Sequence, residues 1–234
     1  MFLNDEIIKL MKQENCNIVG FADLRCLSKE VRQNFDYGIV IALSYSKEAM
    51  QENTNGNIQP YYNEFKPKNP RLNQLILKIE QYLVYRGYKA LAKTQSMTVQ
   101  DEDLRTVLPH KTVATLAGIG WIGKCAMLVT DKVGSALRIS VVLTNAPLEC
   151  GVPITKSKCP PNCTVCADIC PGKAPLDGDV PLWESNVDRA DFFDANACCT
   201  AARKRAKEML GIGDTLCGLC MSVCPFTKRG LGYS

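Results

Sequence analysis

The order of apolar and polar residues predicts alternating helices and strands over the first two thirds of the chain. Apolar positions recur at helical spacing over residues 5–14, which predicts a first helix. Residues 17–22 and 38–45 are short apolar runs that predict buried strands, and the second run is unbroken, as in sheets covered on both faces. Residues 51–70 are rich in Asn, Gln and Pro and predict a loop.

A second series of elements follows this loop. A long amphipathic helix is predicted from about residue 70 to residue 86, where Gly87 stops it. The remaining predicted elements are a strand over 88–92, a helix over 111–117, and strands over 125–130 and 136–144 that flank a turn at 131–134 as a hairpin.

The character of the sequence changes near Pro147. Cysteine, proline and short helical stretches replace the earlier pattern from there onward. We therefore predict an α/β (α+β) cofactor-binding domain with a mixed sheet over residues 1–146 and a small appended module over residues 147–234. The hydrophobic fraction of 46% is enough for a substantial core.

Composition and charge narrow the classes of function. No stretch approaches eighteen consecutive apolar residues, so no membrane span is expected. The first fifteen residues are charged and helical, unlike a secretory signal, which favours a reducing cytoplasmic location. The net charge of +4 neither demands nor excludes nucleic acid. We interpret the densest basic run, residues 203–207, as a solvated helix face in preference to a docking patch for an acidic donor or RNA.

Thirteen cysteines give the strongest chemical signal, and eight of them fall into two groups. The first group has the pattern Cys-x3-Cys-x2-Cys-x3-Cys-Pro, and the second has Cys-x2-Cys-x3-Cys-Pro with a distant cysteine upstream. Runs of this kind that end in Cys-Pro are ferredoxin-type ligand sets. The sequence therefore predicts two 4Fe-4S clusters through which electrons pass.

The assignment of ligands follows the ferredoxin rule that the cysteine before each proline binds the neighbouring cluster. The ligands predicted for the first cluster are Cys159, Cys163, Cys166 and Cys224. The ligands predicted for the second cluster are Cys170, Cys198, Cys217 and Cys220. Cys199 competes with Cys198 for the upstream position.

Disulfides and zinc are the alternative explanations of these cysteines. A reducing compartment disfavours disulfides, and a four-thiolate zinc site needs neither the Cys-Pro endings nor eight interleaved ligands. The other five cysteines are predicted to be small buried or half-buried side chains: Cys16, Cys26, Cys125, Cys150 and Cys199.

Residues 117–124 form a glycine-rich turn with the sequence Ala-Gly-Ile-Gly-Trp-Ile-Gly-Lys. It contains G-x-G-x-x-G, but a predicted helix precedes it and a predicted strand follows it, which is the reverse of the dinucleotide fingerprint. Two interpretations stay open. The glycines permit the close approach of a bulky ligand, or the turn is a tight connection packed under Trp121.

Several of these features together resemble the epoxyqueuosine reductase family, which is related to the corrinoid reductive dehalogenases. They are the glycine-rich turn, Gly134-Ser135 before a strand, Asp194-Ala195 before Cys198, and the double cysteine motif. The similarity is strongest over about residues 109–226, and it favours Cys198 over Cys199 as a ligand.

The resemblance implies a nitroreductase-like fold, a ferredoxin-like module with two 4Fe-4S clusters, and cobalamin as the group that receives the electrons. The residues expected to contact such a cofactor are Gly118, Gly120, Trp121, Gly123 and Lys124. For Lys124, an exposed side chain at a strand start is the alternative.

The family uses an acidic residue upstream of the turn as a proton donor, but the matching position, fourteen residues before Gly118, is Leu104. The neighbouring Asp103 is therefore the candidate acid, against the alternative of a solvated acidic loop. His110, the only histidine, is the second candidate catalytic residue, against the alternative of a helix-entry residue with a backbone hydrogen bond.

The predicted function is that of a cytosolic iron-sulfur reductase of this type. Its expected partners are an electron donor such as a flavodoxin or ferredoxin and an unknown small substrate. RNA is not expected as a substrate, because the sequence ends at Ser234 without the helical-repeat extension of the longer family members. The alternative is a non-catalytic, two-cluster electron carrier of the ferredoxin type.

Overall fold

The computed structural model describes residues 2–234, which form helices and short strands. The helices are α1 Leu3–Gln13, α2 Lys47–Thr54, α3 Gln59–Tyr85, α4 His110–Leu116, α5 Val165–Asp168, α6 Ala195–Leu210, α7 Leu219–Ser222 and α8 Pro225–Leu231. The strands are β1 Ile18–Asp23, β2 Tyr37–Ser44, β3 Ala90–Ala92, β4 Trp121–Ile122, β5 Leu128–Val129 and β6 Leu137–Thr144. Single 3-10 turns lie at Gln95–Met97 and Arg189–Asp191.

Four strands form one sheet in the order β1-β2-β6-β3, and β4 and β5 form a second, two-stranded sheet. Strand β1 pairs antiparallel with β2, where Ile18 lies opposite Ala42. Strand β3 pairs antiparallel with β6, where Ala92 lies opposite Val142. The predicted α/β class is confirmed. The mixed character of the sheet stays a prediction.

The chain divides into two compact units. The first comprises Met1–Leu43, Pro67–Ile119 and Arg138–Ile154, and the second comprises Ser44–Lys66, Gly120–Leu137 and Thr155–Ser234. This division differs from the predicted one at residue 147, because two internal segments join the cysteine-rich segment. Composition alone does not show which segments pack together.

The core of the first unit forms where helices cover the four-stranded sheet. Ile7 and Met11 of α1, Ile76 and Ile79 of α3, and Ile41 of β2 are fully buried in one apolar cluster. Burying a side chain of this size stabilises the fold by about 1.5–3 kcal/mol. The helical spacing of these residues is the reason that α1 is confirmed close to its predicted bounds.

The second unit has its own apolar cluster, which includes buried residues of α2, α6 and α7. The rings of Tyr45 and Tyr61 meet edge to face with centroids 4.8 Å apart. Leu216 and Met221, from the cysteine-rich segment, are buried in the same cluster. The segment that carries the second cysteine group is therefore packed on an apolar core.

The loop predicted over residues 51–70 is wrong, because most of this stretch is helical. Helix α2 extends to Thr54, and α3 begins at Gln59 and continues through Pro67 and Pro70. A proline inside a helix removes a backbone donor and costs about 3 kcal/mol. Burial of Ile58 and Tyr61 in the apolar cluster favours the helix, and composition does not reveal such packing.

The hairpin predicted across residues 131–134 is wrong in its partner strand. Strand β5 pairs with β4, and β6 belongs to the four-stranded sheet. Thr130 and Gly134 exchange backbone hydrogen bonds of 2.9 and 3.0 Å, which close the turn. A Cβ atom at Gly134 would lie 2.2 Å from the backbone nitrogen of Thr227, so this turn packs directly against α8.

Within residues 2–234, no helix has the length and apolar character needed to cross a membrane.

Candidate metal centre

A cavity of about 150 Å³ in the second unit is walled by the two cysteine motifs. Its cysteines are Cys125, Cys159, Cys163, Cys166, Cys220 and Cys224. Val129, Val165 and Phe226 contribute apolar side chains to the wall. All four ligands predicted for the first cluster therefore line one cavity.

Short helices present these cysteines to the cavity. Cys166 lies in α5, and Cys159 and Cys163 lie in the loop before it, where the Cys163 N–H donates to the Pro160 carbonyl at 3.0 Å. Cys224 stands immediately before α8, whose first residue is Pro225. Proline suits this position because it needs no hydrogen-bond partner for a backbone N–H and has a helical φ angle.

The neighbouring thiols affect the pKa of Cys224. Burial raises the pKa of this thiol, and the proximity of Cys159 and Cys166 raises it further, while backbone N–H groups of α8 act in the opposite sense. Thiolates packed together in a buried space require a positive partner. A bound metal group supplies such a charge.

Lys124 holds the cysteine loop in place. Its Nζ atom donates to the Cys163 carbonyl oxygen at 2.9 Å and also to the carbonyl oxygen of Pro161. A Cβ atom at the adjacent Gly123 would lie 3.4 Å from the Sγ atom of Cys159. The end of the glycine-rich turn is thus part of the cavity wall.

Cys125 occupies a position that the sequence did not reveal. It is buried, as predicted, but its thiol is within hydrogen-bonding reach of the thiols of Cys166 and Cys220. These two residues belong to different predicted clusters. Cys125 lies outside both cysteine motifs, so the spacing of the motifs gave no signal for its position.

The second predicted ligand set is brought together in part. Burial raises the pKa of Cys217, and the nearby Cys170 thiol adds to the rise. Cys198 lies in the first turn of α6. Successive helical residues point about 100° apart, so Cys198 and the adjacent Cys199 face different directions. The Sγ atom of Cys199 lies 3.9 Å from the Thr215 hydroxyl oxygen.

The donor set can be tested against the predicted group. Among residues 2–234, no three His, Cys, Asp or Glu side chains converge closely enough to hold a single metal ion. A 4Fe-4S cluster makes a different demand, since each of its four thiolates binds a different iron atom. Four cysteines spread around a cavity of about 150 Å³ fit that demand.

The glycines expected to contact a cofactor are packed against the chain itself. A Cβ atom at Gly118 would lie 2.4 Å from the Val152 carbonyl oxygen, and one at Gly120 would lie 2.2 Å from the Val129 carbonyl oxygen. Trp121 is fully buried, with its ring 4.9 Å from that of Phe226. These contacts match a tight connection and do not by themselves form a cradle for a corrinoid.

The two candidate catalytic residues have different surroundings in the first unit. Asp103 is exposed in a turn that is closed by a 2.7 Å hydrogen bond from the Arg105 N–H to the Asp101 carboxylate. His110 begins α4 and is hydrogen-bonded to the backbone of Ile139.

The environment of His110 favours the neutral imidazole. Burial lowers the pKa of His110, the hydrogen bond to Ile139 acts in the opposite sense, and the charges of Lys93 and Arg138 lower it further. A lowered pKa makes the imidazolium form, which is the acidic form of histidine, harder to reach. The geometry therefore matches a helix-entry residue.

The chain is similar in sequence to curated epoxyqueuosine reductases. No family model matches it. It is 33% identical over 137 residues to the epoxyqueuosine reductase of Bacillus subtilis, an alignment that covers 54% of this chain and 33% of the relative. It is 39% identical over 128 residues to the epoxyqueuosine reductase of Leadbetterella byssophila. That alignment covers 53% of this chain and 39% of the relative. The predicted resemblance to epoxyqueuosine reductases is confirmed. The chain matches less than half the length of these relatives.

Solved structures extend the similarity to nearly the whole chain. A selenomethionine-labelled epoxyqueuosine reductase superposes with a TM-score of 0.60 at 17% identity, covering 97% of this chain and 66% of that one. A catabolic reductive dehalogenase in complex with 3-bromo-4-hydroxybenzoic acid superposes with a TM-score of 0.64 at 18% identity. The superposition covers 94% of this chain and 31% of the dehalogenase chain. An epoxyqueuosine reductase with a tRNA stem loop superposes with a TM-score of 0.59 at 20% identity. This superposition covers 97% of this chain and 65% of that chain. These likenesses establish the fold that the chain shares with epoxyqueuosine reductases and reductive dehalogenases.

Proposed function

We propose that this protein is an iron-sulfur reductase of the epoxyqueuosine reductase type, which takes electrons through two 4Fe-4S clusters and passes them to an unidentified small substrate. The observation that carries the proposal is the arrangement of Cys159, Cys163, Cys166 and Cys224 around one cavity. The sequence similarity to epoxyqueuosine reductases supports it independently.

The side chains of the second unit have distinct roles in this proposal. Of the six cysteines that line the cavity, Cys159, Cys163, Cys166 and Cys224 hold one cluster. Cys220, which also lines the cavity, holds the other cluster together with Cys170, Cys198 and Cys217. A 4Fe-4S cluster, when bound, accepts and releases single electrons. Lys124 fixes the loop that carries Cys163. Val129, Val165 and Phe226 give the cavity an apolar part of its wall.

Cobalamin is a separate question. One structural neighbour, with a TM-score of 0.63 at 17% identity, is a reductive dehalogenase described as suggesting a mechanism for B12-dependent dehalogenation. In this chain the space beside Gly118 and Gly120 is filled by carbonyl groups of Val152 and Val129. The residues of the turn do not fit a corrinoid cradle, and we assign no step to that cofactor.

A two-cluster electron carrier is the second candidate function. Two observations favour it. Lys124, a predicted cofactor contact, is hydrogen-bonded to the cysteine loop, and Asp103, the predicted catalytic acid, is exposed. A carrier needs the clusters and a docking surface but no substrate pocket. The two candidates share the metal centre and differ in whether a substrate is reduced.

Anaerobic reconstitution with iron and sulfide tests the metal centre. The expected result is about eight irons per chain and, after reduction with dithionite, the electron paramagnetic resonance signals of reduced 4Fe-4S clusters. Zinc, or no bound metal, would overturn the proposal.

Two further measurements on the same material separate the candidates. Hydroxocobalamin is added and followed by its visible spectrum, and a tRNA stem loop carrying epoxyqueuosine is offered as substrate and as ligand. Reduction of an added acceptor with multiple turnovers supports the reductase. Reoxidation by a partner protein alone, with no substrate turnover, supports the carrier. Tight binding and reduction of the stem loop would replace the small substrate by RNA.

A further inference from the structure

Arg205 is the buried member of the basic run 203–207. Its side chain is only 9% exposed, whereas Arg203 and Lys204 on the same helix are exposed. The interpretation of the whole run as a solvated helix face is therefore wrong at this position. A permanently charged guanidinium group in the interior requires a specific reason, because removing a charge from water is costly unless it is paired.

Neutral groups hold the guanidinium group of Arg205. Its Nη1 atom donates to the Asn53 side-chain oxygen at 2.9 Å and to the Cys217 carbonyl oxygen at 2.8 Å. The Asn53 amide nitrogen also donates to the Cys217 carbonyl at 3.1 Å. Within residues 2–234, no carboxylate forms an ion pair with Arg205. Its orientation is fixed while its charge stays uncompensated.

The nearest group that can become negative is the thiol of Cys217. Arg205 is held beside this thiol, because it donates to the backbone carbonyl oxygen of the same residue at 2.8 Å. On α6, Cys198 precedes Arg205 by seven residues, which is two helical turns and places both on the same helix face. Arg205 thus contacts one of the four cysteines proposed for the second cluster and shares a helix face with another.

We infer that Arg205 is the built-in counter-charge of the second iron-sulfur cluster and raises the reduction potential of that cluster. This inference rests on the proposed function. One-electron reduction adds one negative charge to the cluster and breaks no bond, with an external one-electron donor as the reductant. A fixed positive charge stabilises the reduced form more than the oxidised form. Cluster potentials respond to net charge, to hydrogen bonds on the sulfurs and to solvent exposure, and the buried site strengthens the electrostatic effect.

Two clusters of different potential give the electron a preferred direction. The first cluster also has a cation nearby, since Lys124 donates to backbone carbonyls of the cysteine loop and its charge acts to lower the pKa of Cys166. Arg205 is more deeply buried than Lys124 and is held beside a proposed ligand of the second cluster by its 2.8 Å hydrogen bond to the Cys217 carbonyl oxygen. A buried charge acts more strongly than one that is open to water. The second cluster is therefore expected to be the one with the higher potential, and an electron shared between the two rests there.

The test is an anaerobic redox titration of the reconstituted full chain with dithionite and mediators, followed by electron paramagnetic resonance. The variants are Arg205→Gln, which removes the charge but can still donate to Asn53, and Arg205→Lys, which keeps the charge. Lys204→Gln is the matched control, because it removes an exposed charge from the next position on the same helix. The two cluster signals are assigned with Cys217→Ala.

In Arg205→Gln, the ratio of reduced to oxidised second cluster at a fixed potential should fall about tenfold, which is a shift of about 59 mV to lower potential for a one-electron couple. The first cluster and the Lys204→Gln protein should be unchanged, and Arg205→Lys should recover most of the shift. An unchanged potential in Arg205→Gln, or an equal shift of both clusters, would overturn the inference.

Loss of iron is also informative. If Arg205→Gln retains only the first cluster while Arg205→Lys retains both, the counter-charge is supported, because the charge alone restores the site. If both variants lose the second cluster, the guanidinium serves packing and the inference fails. Absence of both signals from the unmodified protein would instead refute the proposed function.

Discussion

The ammonium group of Lys124 donates a hydrogen bond of 2.9 Å to the backbone carbonyl oxygen of Cys163. The residue after the glycine-rich turn is thereby tied to the loop that carries the first cysteine group. The same nitrogen reaches the Pro161 carbonyl. The role of Lys124 is therefore to hold a ligand loop, which the sequence pattern did not indicate.

Replacing Lys124 by Met should weaken retention of the first cluster. A hydrogen bond to a charged group contributes about 1.5–3 kcal/mol, and about 1.4 kcal/mol is tenfold in an equilibrium constant. We expect iron of the first cluster to be lost to a chelator about tenfold more readily. Lys132→Met, at an exposed lysine in the same unit, is the control and should behave like the unmodified protein. Equal retention in both variants would show that the two contacts do not stabilise the loop.

Replacing Cys217 by Ala should remove about four of the eight irons, because one of the four thiolates of a cluster is lost. The cysteine-rich segment should also lose stability, since binding of the metal group is coupled to folding. Iron and sulfide analysis after anaerobic reconstitution measures the first effect, and thermal unfolding measures the second. The matched control is Cys26→Ala, at an exposed cysteine of the first unit. A full complement of iron in Cys217→Ala would refute its assignment as a ligand.

Replacing Gly120 by Val should destabilise the second unit without any cofactor being involved. The new Cβ atom would lie 2.2 Å from the Val129 carbonyl oxygen, so β4 and β5 must move apart. Overpacking of this kind costs about 1–3 kcal/mol or more, which a denaturant titration measures. Gly213→Ala is the control, because no atom lies within 4 Å of its added Cβ. If Gly120→Val has normal stability but lost ligand binding, the turn is a cofactor contact after all.

His110 should make stability depend on pH in a defined direction. Its pKa is lowered in the folded protein, chiefly by burial, so the unfolded chain binds more protons as the pH falls below the unfolded value of about 6.5. The contribution of His110 is complete above that pH and is lost progressively as the pH falls toward the folded pKa. Denaturant titrations between about pH 7 and pH 5 test this, with His110→Gln as the comparison. A slope that is identical in the two proteins would contradict the expectation.

The sequence predicts well what short-range patterns determine. Helical spacing of apolar residues places α1, and unbroken apolar runs place β1 and β2, because side chains must repeat with the period of the element that buries them. Cysteine spacing likewise groups Cys159, Cys163, Cys166 and Cys224, which line one cavity, but it does not predict that Cys125 and Cys220 line the same cavity.

Long-range packing explains the features that the sequence did not predict. Residues 59–70 form a helix despite two prolines, because Tyr61 is buried in an apolar core assembled from distant segments. Arg205 has the same sequence surroundings as its exposed neighbours, and only the position of Asn53 distinguishes it. The glycines at 118 and 120 are explained by carbonyl groups that lie 34 and 9 residues away in the chain.

The position of Cys125 between Cys166 and Cys220 has a practical consequence for anyone who purifies this protein. On prolonged exposure to air, oxygen joins this thiol to one of the two as a disulfide. The reaction is slow, because the hydrogen bond with Cys220 and burial raise the pKa of Cys125 and the thiolate is the form that reacts. The disulfide would remove a sulfur on which metal assembly depends and would pull the walls of the chamber together. Material exposed to oxygen should therefore stay colourless on addition of iron and sulfide until a strong thiol reductant has been applied, and a Cys125→Ala protein should need no such treatment.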